Sequence, residues 1–146
     1  MRKNWFKKTL AVTGIGLIML TGAVSAATQN KAIINDKYVG TDKLRQVTSG
    51  TVGTQAKYAT TKVTARSEGW IKEELYCDVM FVHKNPSTKK YVTVGRWMTE
   101  TYGTIKSPYL TNSGVKEKTK LVTEAQAKKN PNSGATNTGI TGYVLY

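Results

Sequence analysis

Between Gly69 and His83 the chain reads GWIKEELYCDVMFVH, and Ile71, Leu75, Cys77, Val79 and Phe81 fall on one parity of that run. Trp70, Lys72, Glu74, Tyr76, Asp78, Met80 and Val82 fall on the other. Successive side chains of a β-strand point to opposite faces, so this period predicts a half-buried strand with Cys77 inside its apolar row. The same stretch holds the chain's single cysteine and single histidine. An intramolecular disulfide is therefore excluded, and a domain of this size must stand on its hydrophobic core alone.

Cys77 and His83 invite a reading as nucleophile and base. Six strand residues separate them, roughly 20 Å at about 3.3 Å per residue, whereas a thiol and its base must approach to about 3 Å. The pair is thus read as strand wall, with His83 at the strand's end near solvent. One histidine and one cysteine cannot complete a zinc site, and Asp36 and Asp42 lack the alternating acidic loop that calcium requires. The sequence assigns no metal, no cofactor and no catalytic residue. It has no G-x-S-x-G elbow, H-E-x-x-H pair or phosphate-binding glycine loop. Adjacent Glu73 and Glu74 face opposite sides of a strand, so a paired-carboxylate hydrolase ranks behind the binding readings.

Neighbouring stretches repeat the strand pattern. In AKYATTKVTARS, from Ala56 to Ser67, Ala59, Thr61, Val63 and Ala65 alternate with Tyr58, Thr60, Lys62, Thr64 and Arg66. The short Ser67–Gly69 link predicts that this strand pairs antiparallel with the next. Asn85-Pro86 marks a turn into YVTVGRWM, Tyr91 to Met98, where Gly95 suggests a bulge. These three strands form a central meander. Residues 115–129 carry good helix formers, but Leu121, Thr123, Ala125 and Ala127 alternate and favour a strand, with a short helix as the other reading. NPNSGATNTG is a loop, and ITGYVLY ends as an apolar strand that must dock in the sheet. The expected fold is all-β: a small antiparallel β-sandwich or partly open barrel over residues 44–146, preceded by a polar arm at 27–43.

Residues 1–26 read as a secretory signal peptide: Arg2, Lys3, Lys7 and Lys8, then a short apolar run, then small residues. Thr13, Gly14 and Gly16 interrupt the run, and it falls short of the about 20 apolar residues that span a bilayer. Val24 and Ala26 suit cleavage between Ala26 and Ala27. Loss of this segment lowers the formal charge from +13 to +9.

A secreted chain with that charge favours an anionic partner, either a cell-wall polymer or a membrane surface, and the expected product is a basic binding protein on the cell envelope. The same composition fits a bacteriocin-like or toxin-like effector acting on another cell. Export and the lack of a recognition motif argue against nucleic acid. Candidate contacts are Lys84, Lys89 and Lys90 around the Asn85-Pro86 turn, together with Lys62, Arg66 and Arg96. Trp70 and Trp97 are the candidate flat faces, with Tyr58, Tyr76 and Tyr91 beside them. Nothing in the sequence fixes an oligomeric state.

Overall fold

The computed structural model describes residues 28–67 and 76–146. The expected cleavage site at Ala26 and Ala27, the candidate contact Trp70 and the first part of the Gly69–His83 run lie outside the described residues. Eight strands follow in chain order: β1 (Lys31–Gly40), β2 (Arg45–Thr51), β3 (Thr60–Ser67), β4 (Asp78–Lys84), β5 (Arg96–Met98), β6 (Gly103–Lys106), β7 (Lys120–Lys128) and β8 (Asn137–Leu145). They form two four-stranded antiparallel sheets, β1-β8-β3-β6 and β2-β7-β4-β5. The sheets pack face to face as a small β-sandwich, and its core is the set of inward rows.

Those rows follow directly from the alternation. Val79 and Phe81 of β4 point inward, as do Leu121, Ala125 and Ala127 of β7 and Ile140 and Val144 of β8. Ile34, Val39 and Val63 of the first sheet and Val47 of the second complete the two facing layers. Burying one Val, Leu, Ile or Phe side chain stabilises by about 1.5–3 kcal/mol, so the sandwich needs no covalent staple. Cys77, just before β4, is buried as its place in the apolar row predicts, and its Sγ lies 3.3 Å from the Ala135 carbonyl oxygen.

Four expectations change. Residues 115–129 contain no helix: Lys120–Lys128 is β7, central in its sheet, because its small inward row of Leu121, Thr123, Ala125 and Ala127 fits the core. The polar stretch 27–43 is largely β1, laddered along β8 from Lys31↔Leu145 to Gly40↔Asn137. Its apolar signal is weak because a bulge between Ile34 and Lys37, with Asp36 at φ 40°, breaks the period. The meander also fails at its first link. β3 pairs with β8 and β6, β4 pairs with β7 and β5, and the two strands belong to opposite sheets. Alternation defines a strand's faces and leaves its lateral partner open. The β4–β5 pairing does form, through Val79↔Met98, Met80↔Trp97 and Phe81↔Arg96. Ahead of it, a Cβ on Gly95 would stand 2.4 Å from Met80 Sδ, so the chain crosses over β4 there by means of the glycine.

The fourth change concerns His83. Its side chain is 2% exposed, and Nδ1 lies 2.8 Å from Thr123 Oγ1, which in turn bonds the Tyr146 phenol. β4 and β7 place His83 opposite Thr123, and the ring continues the inward row of Val79 and Phe81. The parity was right; the exposure was not, because the segment Tyr91–Thr93 closes over the strand's end. Val92 N donates to the His83 carbonyl oxygen at 2.9 Å, and His83 N donates to Thr93 Oγ1 at 3.0 Å.

Candidate functional site

The register gathers lysines at the end of the sandwich where β8 finishes. Lys106 of β6 stands opposite Thr60 of β3, Thr60 opposite Leu145 of β8, and Leu145 opposite Lys31 of β1. The adjacent row runs Thr104, Lys62, Tyr143 and Ile33. Directly opposed residues of antiparallel strands share a face, so Lys31, Lys62 and Lys106 lie together on the outer side of the first sheet. Lys31 Nζ is 4.2 Å and Lys62 Nζ 6.0 Å from the Tyr143 ring centre. The two ammonium groups are therefore within roughly 10 Å of each other, each attracted to the same tyrosine ring.

The second sheet adds cations at the same end. Lys120 opens β7 opposite Thr51, and Thr51 in turn lies beside the β8 terminus through Gly53, whose N–H donates to the Tyr146 carbonyl oxygen at 3.1 Å. Exposed Lys116 and Lys118 precede β7, and exposed Lys89 and Lys90 sit in the loop after β4. Asn85 fixes that loop by accepting from Ser87 N at 2.9 Å and Thr88 N at 3.3 Å. Lys57 is exposed three residues before β3.

Carboxylates collect at the opposite end. Asp36 accepts a hydrogen bond from Ser67 at 3.1 Å, Asp42 pairs with Arg45 at 3.0 Å, Asp78 stands opposite Lys128, and Glu100 lies beside Arg66. The Arg45 guanidinium holds the Asp42 carboxyl below its usual range. Among the described residues the carboxylates nearer the lysine-rich end are Glu117 and Glu124, and Glu124 is engaged by Lys84 at 3.7 Å and by the Tyr91 hydroxyl at 2.8 Å. The sandwich thus has a basic pole and a mixed-charge pole. Cations that outnumber their counter-charges repel one another, a repulsion that any anion bound there would relieve.

The candidate contacts scatter over this map. Lys62, Lys89 and Lys90 are exposed at the basic pole, whereas Lys84 is half-buried and committed to Glu124 and to the Tyr91 ring, 5.3 Å from its Nζ. Trp97, 45% exposed, lies on the outer face of the second sheet opposite Met80. Arg96 is exposed at the β5–β6 edge and lines a cleft there with Tyr58, Lys106 and Tyr109.

Arg66 turns out to be architectural. Its Nε donates to the Thr101 carbonyl oxygen at 3.0 Å, and Nη1 to the Cys77 carbonyl oxygen at 3.1 Å and to Thr138 Oγ1 at 3.3 Å. Nη2 donates to the Glu100 carbonyl oxygen at 3.3 Å, and the guanidinium rests 5.8 Å from the Tyr76 ring. The fork closes the mixed-charge pole by tying β3 to the segments around β4 and β6. A lysine offers a point charge in place of that planar fork. Arg66→Lys is accordingly expected to lower unfolding free energy by about 2 kcal/mol in denaturant titration, with binding to an anionic polymer unchanged. Reduced polymer binding at unchanged stability would return Arg66 to the contact surface.

Lys31, Lys106, Lys116, Lys118, Lys120, Tyr109 and Tyr143 escaped the sequence reading. They lie far apart along the chain, and the strand order β1-β8-β3-β6 joins the first of them to the last. The run Lys116, Lys118, Lys120 was visible as a charge cluster, although its helix-or-strand ambiguity hid the direction it faces. Among the described residues no group of three His, Cys, Asp or Glu side chains could hold a metal ion. Compared with the models of known protein families, with curated proteins and with solved structures, the chain matches none.

Proposed function

We propose that the protein is an exported basic binding protein that adheres to an anionic polymer of the cell envelope through its basic pole. The observation that carries this reading is the gathering of Lys31, Lys62 and Lys106 on one sheet face, backed by Tyr143 and without a carboxylate in either register row. Cations with no role in the fold are the part of a basic chain most readily assigned to a partner. Arg66 and Arg45, by contrast, are used internally. The leader-like first residues supply the compartment in this reading, and the charge supplies the partner.

Co-sedimentation with isolated cell walls tests it. Each exposed ionic contact contributes on the order of 0.5 kcal/mol, so Lys31→Gln, Lys62→Gln and Lys106→Gln together should weaken binding about tenfold at 0.1 M salt. The parent should approach the variant at 1 M salt, where the screening length falls from about 10 Å to about 3 Å. Neutralising Lys128 and Lys129 at the other pole is expected to change little. Salt-insensitive binding, or equal losses from both poles, rejects the reading.

A further inference from the structure

The cleft at the β5–β6 edge has features that a generic basic surface lacks. Its volume is about 540 Å³, and it lies where the two sheets' edge strands approach each other. Arg96 enters from β5 of one sheet and Lys106 from β6 of the other. Tyr58 and Tyr109 form a bent aromatic wall, with ring centres 6.4 Å apart and planes at 57°. Lys106 Nζ lies 4.8 Å from the Tyr58 ring centre, while Tyr109 is 56% exposed. Asn112 adds an amide at the rim. Two other surface clefts hold a carboxylate, Asp42 paired with Arg45 in one and Glu100 beside Trp97 in the other, and the lysine-lined clefts at Lys57 and at Lys90 and Lys116 hold no arginine.

We infer that this cleft binds an acidic sugar residue of the envelope polymer, with the sugar ring against Tyr109 and its carboxylate between Arg96 and Lys106. The inference rests on the adhesive reading above and specifies the chemistry of its ligand. A guanidinium fork matches a carboxylate bidentately, and a lysine beside it adds charge without demanding direction. Tyrosine presents an apolar face with a polar tip, which suits a pyranose: C–H groups on one face and hydroxyls around the rim. The phenol oxygens and the Asn112 amide supply donors and acceptors for those hydroxyls. Concavity and polar lining set the cleft apart from a membrane-inserting surface, which needs a projecting apolar face. Lys106 also begins the register row that leads to Lys31, so a polymer seated in the cleft continues across the basic sheet face.

Binding of trigalacturonate, triglutamate and a short oligothymidylate to the purified protein separates the cleft from the surrounding charge. The parent is expected to prefer trigalacturonate to triglutamate, although the ligands present the same kind of charged group. Tyr109→Ala should reduce trigalacturonate affinity about tenfold and leave triglutamate binding unchanged, whereas Arg96→Gln, which removes a carboxylate partner, should weaken trigalacturonate about tenfold and triglutamate less; both residues are exposed, and circular dichroism checks that the variants fold. Lys31→Gln should weaken the two acidic ligands alike. A parent that takes triglutamate or oligothymidylate as tightly as trigalacturonate overturns the inference, as does a Tyr109→Ala protein that retains the sugar preference. In those cases salt-sensitive wall binding would still uphold the adhesive reading, whereas failure of wall binding itself would remove both.

Discussion

Replacing Tyr146 by alanine should destabilise the protein by about 3–5 kcal/mol, a large effect for a residue at the end of a final strand, where chains ordinarily tolerate change. Tyr146 is fully buried. Its N–H donates to the Asn30 carbonyl oxygen at 2.9 Å, and its carbonyl oxygen accepts from Asn30 N at 2.9 Å and Gly53 N at 3.1 Å. The ring fills space that Gly50 leaves open: a Cβ there would lie 2.5 Å from Cδ2 and 2.6 Å from Cε2. Alanine empties that site and strands Thr123 with one partner fewer. Tyr146→Phe keeps the ring and the His83–Thr123 bond, so it should cost only about 1 kcal/mol. Equilibrium urea unfolding of the two variants provides the comparison. A Tyr146→Ala protein as stable as Tyr146→Phe would show that the ring's packing contributes nothing.

Mild acid should weaken the fold through His83. Burial pushes its imidazole down from 6.5 to about 4, while an unfolded chain binds the same proton near 6.5. Between those values the unfolded state therefore holds more protons than the native state. This contribution is fully present above about pH 6.5 and declines as pH falls toward 4, at up to about 1.4 kcal/mol per pH unit and about 3 kcal/mol in total. The ring's polar partner is the Thr123 hydroxyl, and Tyr146 meets it edge-on at 5.8 Å between centres. Among the described residues no carboxylate is hydrogen-bonded or ion-paired to the ring in a way that would favour an imidazolium. His83→Gln should be less stable at neutral pH but should lose most of the slope between pH 6.5 and 4.5, above the range where carboxylates dominate. Identical slopes in parent and variant would assign the acid sensitivity to other groups.

The strand inventory was legible wherever one face of a strand is apolar. The inward rows of β3, β4, β7 and β8 can be read from Val63, from Val79 and Phe81, from Leu121 and Ala125, and from Ile140 and Val144, because burial on one side only is what imposes period two. β1 was less legible, since its bulge at Asp36 shifts Val39 out of phase with Ile34. The β3–β4 pairing was misassigned for a related reason: a short link and two apolar faces fit a hairpin and a crossing between sheets equally well.

The all-β class, the absence of an intramolecular disulfide, the burial of Cys77 and the excess of positive charge can be read along the chain. These depend on composition and on the parity of neighbouring residues, which are local properties. The tertiary structure alone decided that His83 is buried, because closure by Tyr91–Thr93 and contact with Tyr146 come from other segments. It alone separated Arg66, folded into carbonyl oxygens, from Lys62, exposed beside Tyr143. It also brought Lys31 within reach of Lys62, since strand order and register carry residues distant in the chain onto one face, and it set Arg96 and Lys106 on one cleft where the edges of the two sheets meet. Charge is a sum over residues and can be read along the chain, whereas a binding surface is a matter of adjacency, which only the pairing of strands creates.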